Sequence, residues 1–140
     1  MNVGDIATKP AVTCRPTVSI SDAARSMRET NVGALVVVDE EQRPIGIVTD
    51  RDLAIRGLAR ELPPSTAVRE LMTTELLLAS EDNDASQVLH KASGWGCRRI
   101  PVVTAHGVVV GIVTLDDLTA QMAESMAEIA QAEREARRRQ

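Results

Sequence analysis

Gly46-Ile47-Val48-Thr49-Asp50-Arg51-Asp52-Leu53 returns 65 residues later as Gly111-Ile112-Val113-Thr114-Leu115-Asp116-Asp117-Leu118. A repeat at a fixed period speaks to architecture before it speaks to function. Carried toward the N-terminus, the same offset runs without a gap from Leu53/Leu118 back to Val3/Val68. It passes through the identities Val38/Val103, Val37/Val102, Ser21/Ser86 and Thr8/Thr73, and through the conservative pairs Ile6/Leu71 and Asp5/Glu70. Two copies of one supersecondary unit thus occupy most of the 140 residues. Each copy has roughly 60 residues, a size at which a free-standing core is marginal, so the copies are expected to pack on one another.

Working outward from the repeated stretch, the β-branched run Ala34 to Val38 reads as a strand. Asp39 to Arg43 is a polar turn and Pro44 to Val48 a second strand. Ahead of them, Thr17 to Ile20 leads into a helix from Ser21 to Thr30, with Ser21 as its expected N-cap and Ala23, Ala24 and Met27 as an apolar stripe. Behind them, Asp50 to Arg60 reads as a helix with Leu53, Ile55 and Leu58 inward. Pro63 and Pro64 end that helix. In the second copy a helix is expected over Ala85–Ser93, strands over Ile100–Thr104 and Val108–Val113, and a helix from about Thr114 into the charged tail. The boundaries that follow are 3–60 for the first motif, 61–66 for the linker, 67–122 for the second motif and 123–140 for a charged helical tail. From Ala127 on, large apolar side chains are too few to add a packed layer.

Composition narrows the function classes. The hydrophobic share is 44%, which argues for a folded core, and one Trp with no Phe or Tyr makes that core aliphatic. A formal net charge of -4 gives no electrostatic reason to bind nucleic acid or an anionic membrane. The N-terminal ten residues lack an apolar signal core, and no apolar run approaches a membrane span. A cytoplasmic protein with Cys14 and Cys97 as free thiols is expected. His90, His106 and the two cysteines show no metal-ligand spacing. Neither a nucleophile beside a base nor a Gly-rich phosphate loop is visible, so no catalytic residue is assigned and an enzyme is not expected.

The doubling, the element order and the closing Gly-(apolar)-(apolar)-Thr-x-x-Asp resemble the cystathionine β-synthase (CBS) domain pair, or Bateman module, over about residues 3 to 122. The run Thr49 to Ala59 is further similar to small stand-alone bacterial proteins of this family. The resemblance implies an α/β (α+β) tandem pair of pseudo-symmetric β-α-β-β-α units packed sheet to sheet. It also implies two clefts that take adenosine derivatives such as AMP, ADP, ATP or S-adenosylmethionine as regulatory ligands. No cofactor is required. A homodimer is implied, through helical faces that would include Leu53, Ile55 and Leu58 in one copy and Leu118 and Met122 in the other. The alternative is a ligand-free adaptor that dimerises and docks a protein partner.

The motif itself supplies chemistry. Thr49 with Asp52, and Thr114 with Asp117, place a hydroxyl and a carboxylate on one side of a helix start, a clamp suited to vicinal ribose hydroxyls. The same pair equally suits a helix cap. The preceding glycine leaves the strand open to close approach. Only the second copy carries Arg98 and Arg99 at the head of its central strand; the first has Gly33 and Ala34 there. A guanidinium fork suits phosphate oxygens, and by resemblance to the γ subunit of AMP-activated protein kinase this position reads phosphate; the other reading is a surface pair answering nearby acidic side chains. The arginines are expected to make the Thr114/Asp117 cleft the phosphate-preferring one. The resemblance further assigns Thr13 and Cys14 to that cleft, and Leu78, Ala79 and Ser80 to the Thr49/Asp52 cleft. Val12, Leu77, Ile47 and Ile112 are candidate adenine walls or plain core. Trp95, at a helix end, either packs locally or faces a partner.

Overall fold

β-branched residues stiff at χ1 favour extended backbone, and each copy uses them to build a hairpin. A computed structural model describes residues 1–139. Strands β2 (Ala34–Val38) and β3 (Pro44–Thr49) pair antiparallel, and β1 (Thr13–Cys14) joins β2 in parallel. Strands β5 (Arg99–Val103), β6 (Val109–Thr114) and β4 (Ala79–Ser80) repeat the arrangement, register for register. The result is two three-stranded sheets of the same order. Helices α2 (Ile20–Thr30) and α4 (Ala85–Trp95) are the first helices of the two copies. A short α1 (Val3–Ile6) opens the chain, α3 (Asp50–Asp52) starts the second helix of copy one, and α5 (Leu115–Arg138) is its much longer counterpart.

The copies are tied by exchange. Thr8 and Ile112 trade two backbone hydrogen bonds, of 2.9 and 3.1 Å, and Thr73 and Ile47 do the same at 2.9 and 3.0 Å. The bridges Asn2 to Asp84 and Ser19 to Ala67 form a second such pair. Each bridge maps onto its mate by the sequence period, which is what a pseudo-twofold axis requires. The cores follow suit. Val3 is fully buried among Val88, Ile100, Val102 and Leu118 of copy two, while Val68 and Leu71 are buried among Ile20, Leu35, Val37 and Val48 of copy one. Each core is therefore completed by the segment that precedes the other copy's strands.

That exchange explains the repeated glycines. A Cβ on Gly46 would lie 2.6 Å from Met72 Sδ, and one on Gly111 would lie 2.7 Å from the Thr8 carbonyl oxygen. The close approach is made by the crossing segment of the chain itself.

Three local expectations are corrected. The N-cap of α2 is Ser19, whose hydroxyl accepts from the Asp22 amide at 3.0 Å, so Ser21 lies inside the helix. The helix after β3 is regular only to Asp52. It widens to a π-turn over Leu53–Gly57 and tightens to a 3₁₀ turn over Leu58–Arg60. Gly57 sits 3.4 Å, measured from its would-be Cβ, from both Ile20 Cδ1 and Leu71 Cδ1. The altered winding turns Ile55 and Leu58 outward, 53% and 78% exposed, and only Leu53 packs against the core. Leu118 is fully buried in the second core and has no surface to offer a partner. No helix among the described residues is long and apolar enough to cross a membrane.

Candidate functional site

The Thr-x-x-Asp motif resolves first into local structure. Thr49 Oγ1 accepts from the Asp52 amide at 3.1 Å, and Asp52 Oδ2 accepts from the Thr49 amide at 2.9 Å. Thr114 and Asp117 do the same at 3.0 and 3.4 Å. Both are reciprocal capping boxes, which satisfy amides that a helix start would otherwise leave orphaned. Helix capping thus uses one carboxylate oxygen of each Asp. The second oxygen is spare, and an ionised carboxylate has lone pairs beyond those two bonds. Asp52 Oδ1 lies 3.8 Å from Arg56 Nε. The Asp52 side chain is largely covered, while Asp117 is exposed.

Between the copies lies a cavity of about 340 Å³. Copy one lines it with Ile47 and Thr49, and the strand-like segment after the linker with Thr73, Glu75 and Leu76. Copy two contributes the turn between α4 and β5, from Trp95 to Arg99. Two consequences of sequence make this cleft. Gly96, in the left-handed region at φ 66°, caps α4 and turns the chain back toward β5. The Thr73–Ile47 bridge then fixes the opposite wall.

The arginines border a cavity that the first copy shares. Arg99 pairs with Thr114 in the ladder of β5 and β6, yet it borders the cavity of Thr49, and so does Arg98. Among the described residues the Arg98 side chain makes one ion pair, with Asp116 at 3.6 Å, both side chains being well exposed. Exposed pairs of this kind contribute little. Both arginines, which the sequence assigned to the second copy's motif, thus line the same cavity as Thr49 of the first copy.

The remaining candidates are spread out. Val12 and Cys14 pack against the first core, and Thr13 sits beside them in β1. Ala79 is buried in the second core with Leu77, next to the half-buried Ser80. Leu78 opens instead onto a separate cavity of about 450 Å³ shared with Asn83, Gln87, His90 and Lys91. Ile47 lines the cleft of Thr49, whereas Ile112 is engaged with Thr8 at the far side of the pseudo-axis. None of Thr13, Cys14, Leu78, Ala79 or Ser80 borders the Thr49 cavity. Cys14 and Cys97 fall in different cores. Burial pushes the Cys14 thiol up to about 11. Cys97 donates its thiol hydrogen to the Arg99 carbonyl at 3.2 Å. Among the described residues no cluster of ligating side chains fits a metal ion. Trp95, Glu75 and Leu76 were not legible as cavity residues. All three break the repeat, standing opposite Thr30, Pro10 and Ala11, and Trp95 is also the one Trp in a chain without Phe or Tyr.

Comparison with known proteins gives this geometry a setting. The CBS domain family model matches residues 3–57 and 68–124. The protein YlbB of Bacillus subtilis is 40% identical over 84% of this chain and 79% of its own length. Across YlbB and two similar curated relatives, the chain spans 61% to 79% of the relative's length. Among solved structures, the CBS domain pair of protein MJ0100 in complex with 5′-methylthioadenosine and S-adenosyl-L-methionine superposes with a TM-score of 0.78. It is 33% identical and covers 89% of this chain and 98% of its own. CBSX2 in complex with AMP gives a TM-score of 0.72 at 26% identity, with the same coverage of both chains. With the family model matching twice across most of its length, on the fold of known CBS pairs, this chain belongs to the CBS domain family as a tandem pair.

Proposed function

We propose that the chain is a non-catalytic regulatory module that binds an adenosine-containing ligand in the cleft between its two copies. The observation that carries this reading is a cavity lined by Thr49 of one copy and by Arg98 and Arg99 of the other. A hydroxyl at one side suits a sugar, and two forks of fixed donors suit a phosphate or carboxylate tail. Family members of the same fold hold AMP in one case and 5′-methylthioadenosine with S-adenosylmethionine in another, which supports the adenosyl class. A ligand that touches both copies binds the assembled pair better than the separated one, so its binding energy biases how the copies sit together.

The signal needs a surface. An apolar groove runs between α2 and the irregular helix after β3, lined by Ile20, Ala24, Met27, Leu53, Leu58 and Leu62. Leu58 is 78% exposed beside it. A second copy of this chain is the occupant proposed for it, because exposed apolar patches mark association sites. That groove is also what favours the second reading, an adaptor that dimerises without a ligand.

Thermal denaturation in the presence of AMP, ATP, S-adenosylmethionine and adenosine tests the sensor. A ligand at about a hundred times its Kd stabilises by about 2.7 kcal/mol, an easily read rise in Tm for a chain of this size. At least one adenosyl compound is expected to give it. Absence of any shift across the set, with calorimetry equally silent, refutes the sensor and leaves the adaptor.

A further inference from the structure

We propose that Trp95 is the base-reading residue of the cleft, its indole stacking on the adenine ring of a ligand whose anionic end meets Arg98 and Arg99. The assignment rests on the cleft being an adenosyl site and adds what recognises the base. Trp95 is the one aromatic side chain in 140 residues. Both cores are built from aliphatic side chains, so packing does not account for it. It stands at the end of α4 with 62% of its surface exposed, and it borders the same cavity as Thr49 and the two arginines.

An indole left in water at the mouth of a cleft is a large apolar face without a partner, and a nucleobase offers a π-face of matching size. Trp95 offers the one aromatic face on the cavity wall, where Ile47 and Leu76 are aliphatic and Glu75, Arg98 and Arg99 are charged. The repeat makes the same point from the other side. Thr30 occupies the equivalent place in copy one, so the base reader, like the arginines, belongs to one cleft alone.

The experiment combines calorimetry with the chain's own fluorescence, which has a single tryptophan source and no tyrosine. AMP and ribose 5-phosphate are titrated into the full chain and into Trp95→Ala and Trp95→Phe, each first shown by circular dichroism and melting to be folded. AMP is expected to change the tryptophan emission saturably. Trp95→Ala should weaken AMP about tenfold, Trp95→Phe should recover most of the loss, and ribose 5-phosphate should stay within about twofold across all three. Binding of AMP by calorimetry with unchanged emission and an unaffected Trp95→Ala overturns the assignment while the adenosyl reading stands. Equal weakening of AMP and ribose 5-phosphate also overturns it, since Trp95 then shapes the turn before β5 and does not read the base. No heat from AMP, ATP, S-adenosylmethionine or adenosine removes the adenosyl reading and the stacking with it.

Discussion

Single residues in this chain carry two kinds of information, and the repeat separates them. Thr49 and Thr114, with Asp52 and Asp117, were legible in the sequence as a hydroxyl and carboxylate at a helix start. Their first duty is capping, which the spacing of three equally foretold. Asp117→Ala should therefore lower stability by about 1 kcal/mol, the usual worth of a cap, when measured by urea denaturation. Because Asp117 is not part of the Thr49 cavity, AMP affinity should not follow. An affinity loss of tenfold or more would return the second motif to the binding site. The Cys14 thiol is governed by something no sequence shows, its partial burial against the first core. With its pKa raised to about 11 by burial, Cys14 has about a hundredfold less thiolate at neutral pH than an ordinary thiol near 9.0. Alkylation followed by mass spectrometry should find Cys14 slow by that factor relative to the unfolded chain, where burial is lifted. Equal rates in folded and unfolded protein would contradict its placement.

At the scale of elements, the two hairpins and the helices flanking them were legible because β-branched runs and proline breaks mark them, while the short first strand, Thr13–Cys14, was not. The crossing of segments was not, because no local pattern says that Val3 belongs to the second core and Val68 to the first. The signal was present in the wrong form: glycines at 46 and 111 announce a close approach without naming what approaches. The approaching atoms differ, a flexible Met72 side chain at Gly46 and the rigid Thr8 backbone at Gly111. Gly111→Ala should thus cost more than Gly46→Ala, by about 1–3 kcal/mol against less than that, as overpacking against backbone does. Urea melts of the two variants decide it, and the reverse order would mean that the N-terminal segment yields more readily than Met72. The winding after Asp52 also escaped the sequence, since a π-turn keeps helical composition while rotating Ile55 and Leu58 out of the core. Beyond Met122, α5 exposes Met126 and Ile129. Deleting Gln131 to Gln140 should leave Tm nearly unchanged, and a large drop would show that this stretch packs on a partner.

For the whole molecule, the period predicted a pseudo-twofold pair, and the pair has that symmetry in strand order, bridges and caps. The proposed cleft draws on residues that break this symmetry. Residues that repeat are accounted for by caps, cores and crossings, while Trp95, Arg98 and Arg99 have no counterpart in copy one. Which cavity they border was not legible, because sequence position puts them in the second copy and only the packing brings them beside Thr49. The groove beside Leu58 belongs to this scale as well. Light scattering should give the mass of a dimer at micromolar concentration, and Leu58→Glu, at a 78% exposed position, should give a folded monomer. A wild-type monomer would leave the groove without its occupant. The central claim is that the Thr49 cleft, with both arginines, is where an adenosyl phosphate binds. Calorimetry of AMP and adenosine against the wild type and Arg98→Ala/Arg99→Ala tests it most directly. Charge-assisted hydrogen bonds are worth about 1.5–3 kcal/mol, so the double variant should lose tenfold or more in AMP affinity and little for adenosine. Loss of both ligands in the same proportion, or of neither, would contradict the account.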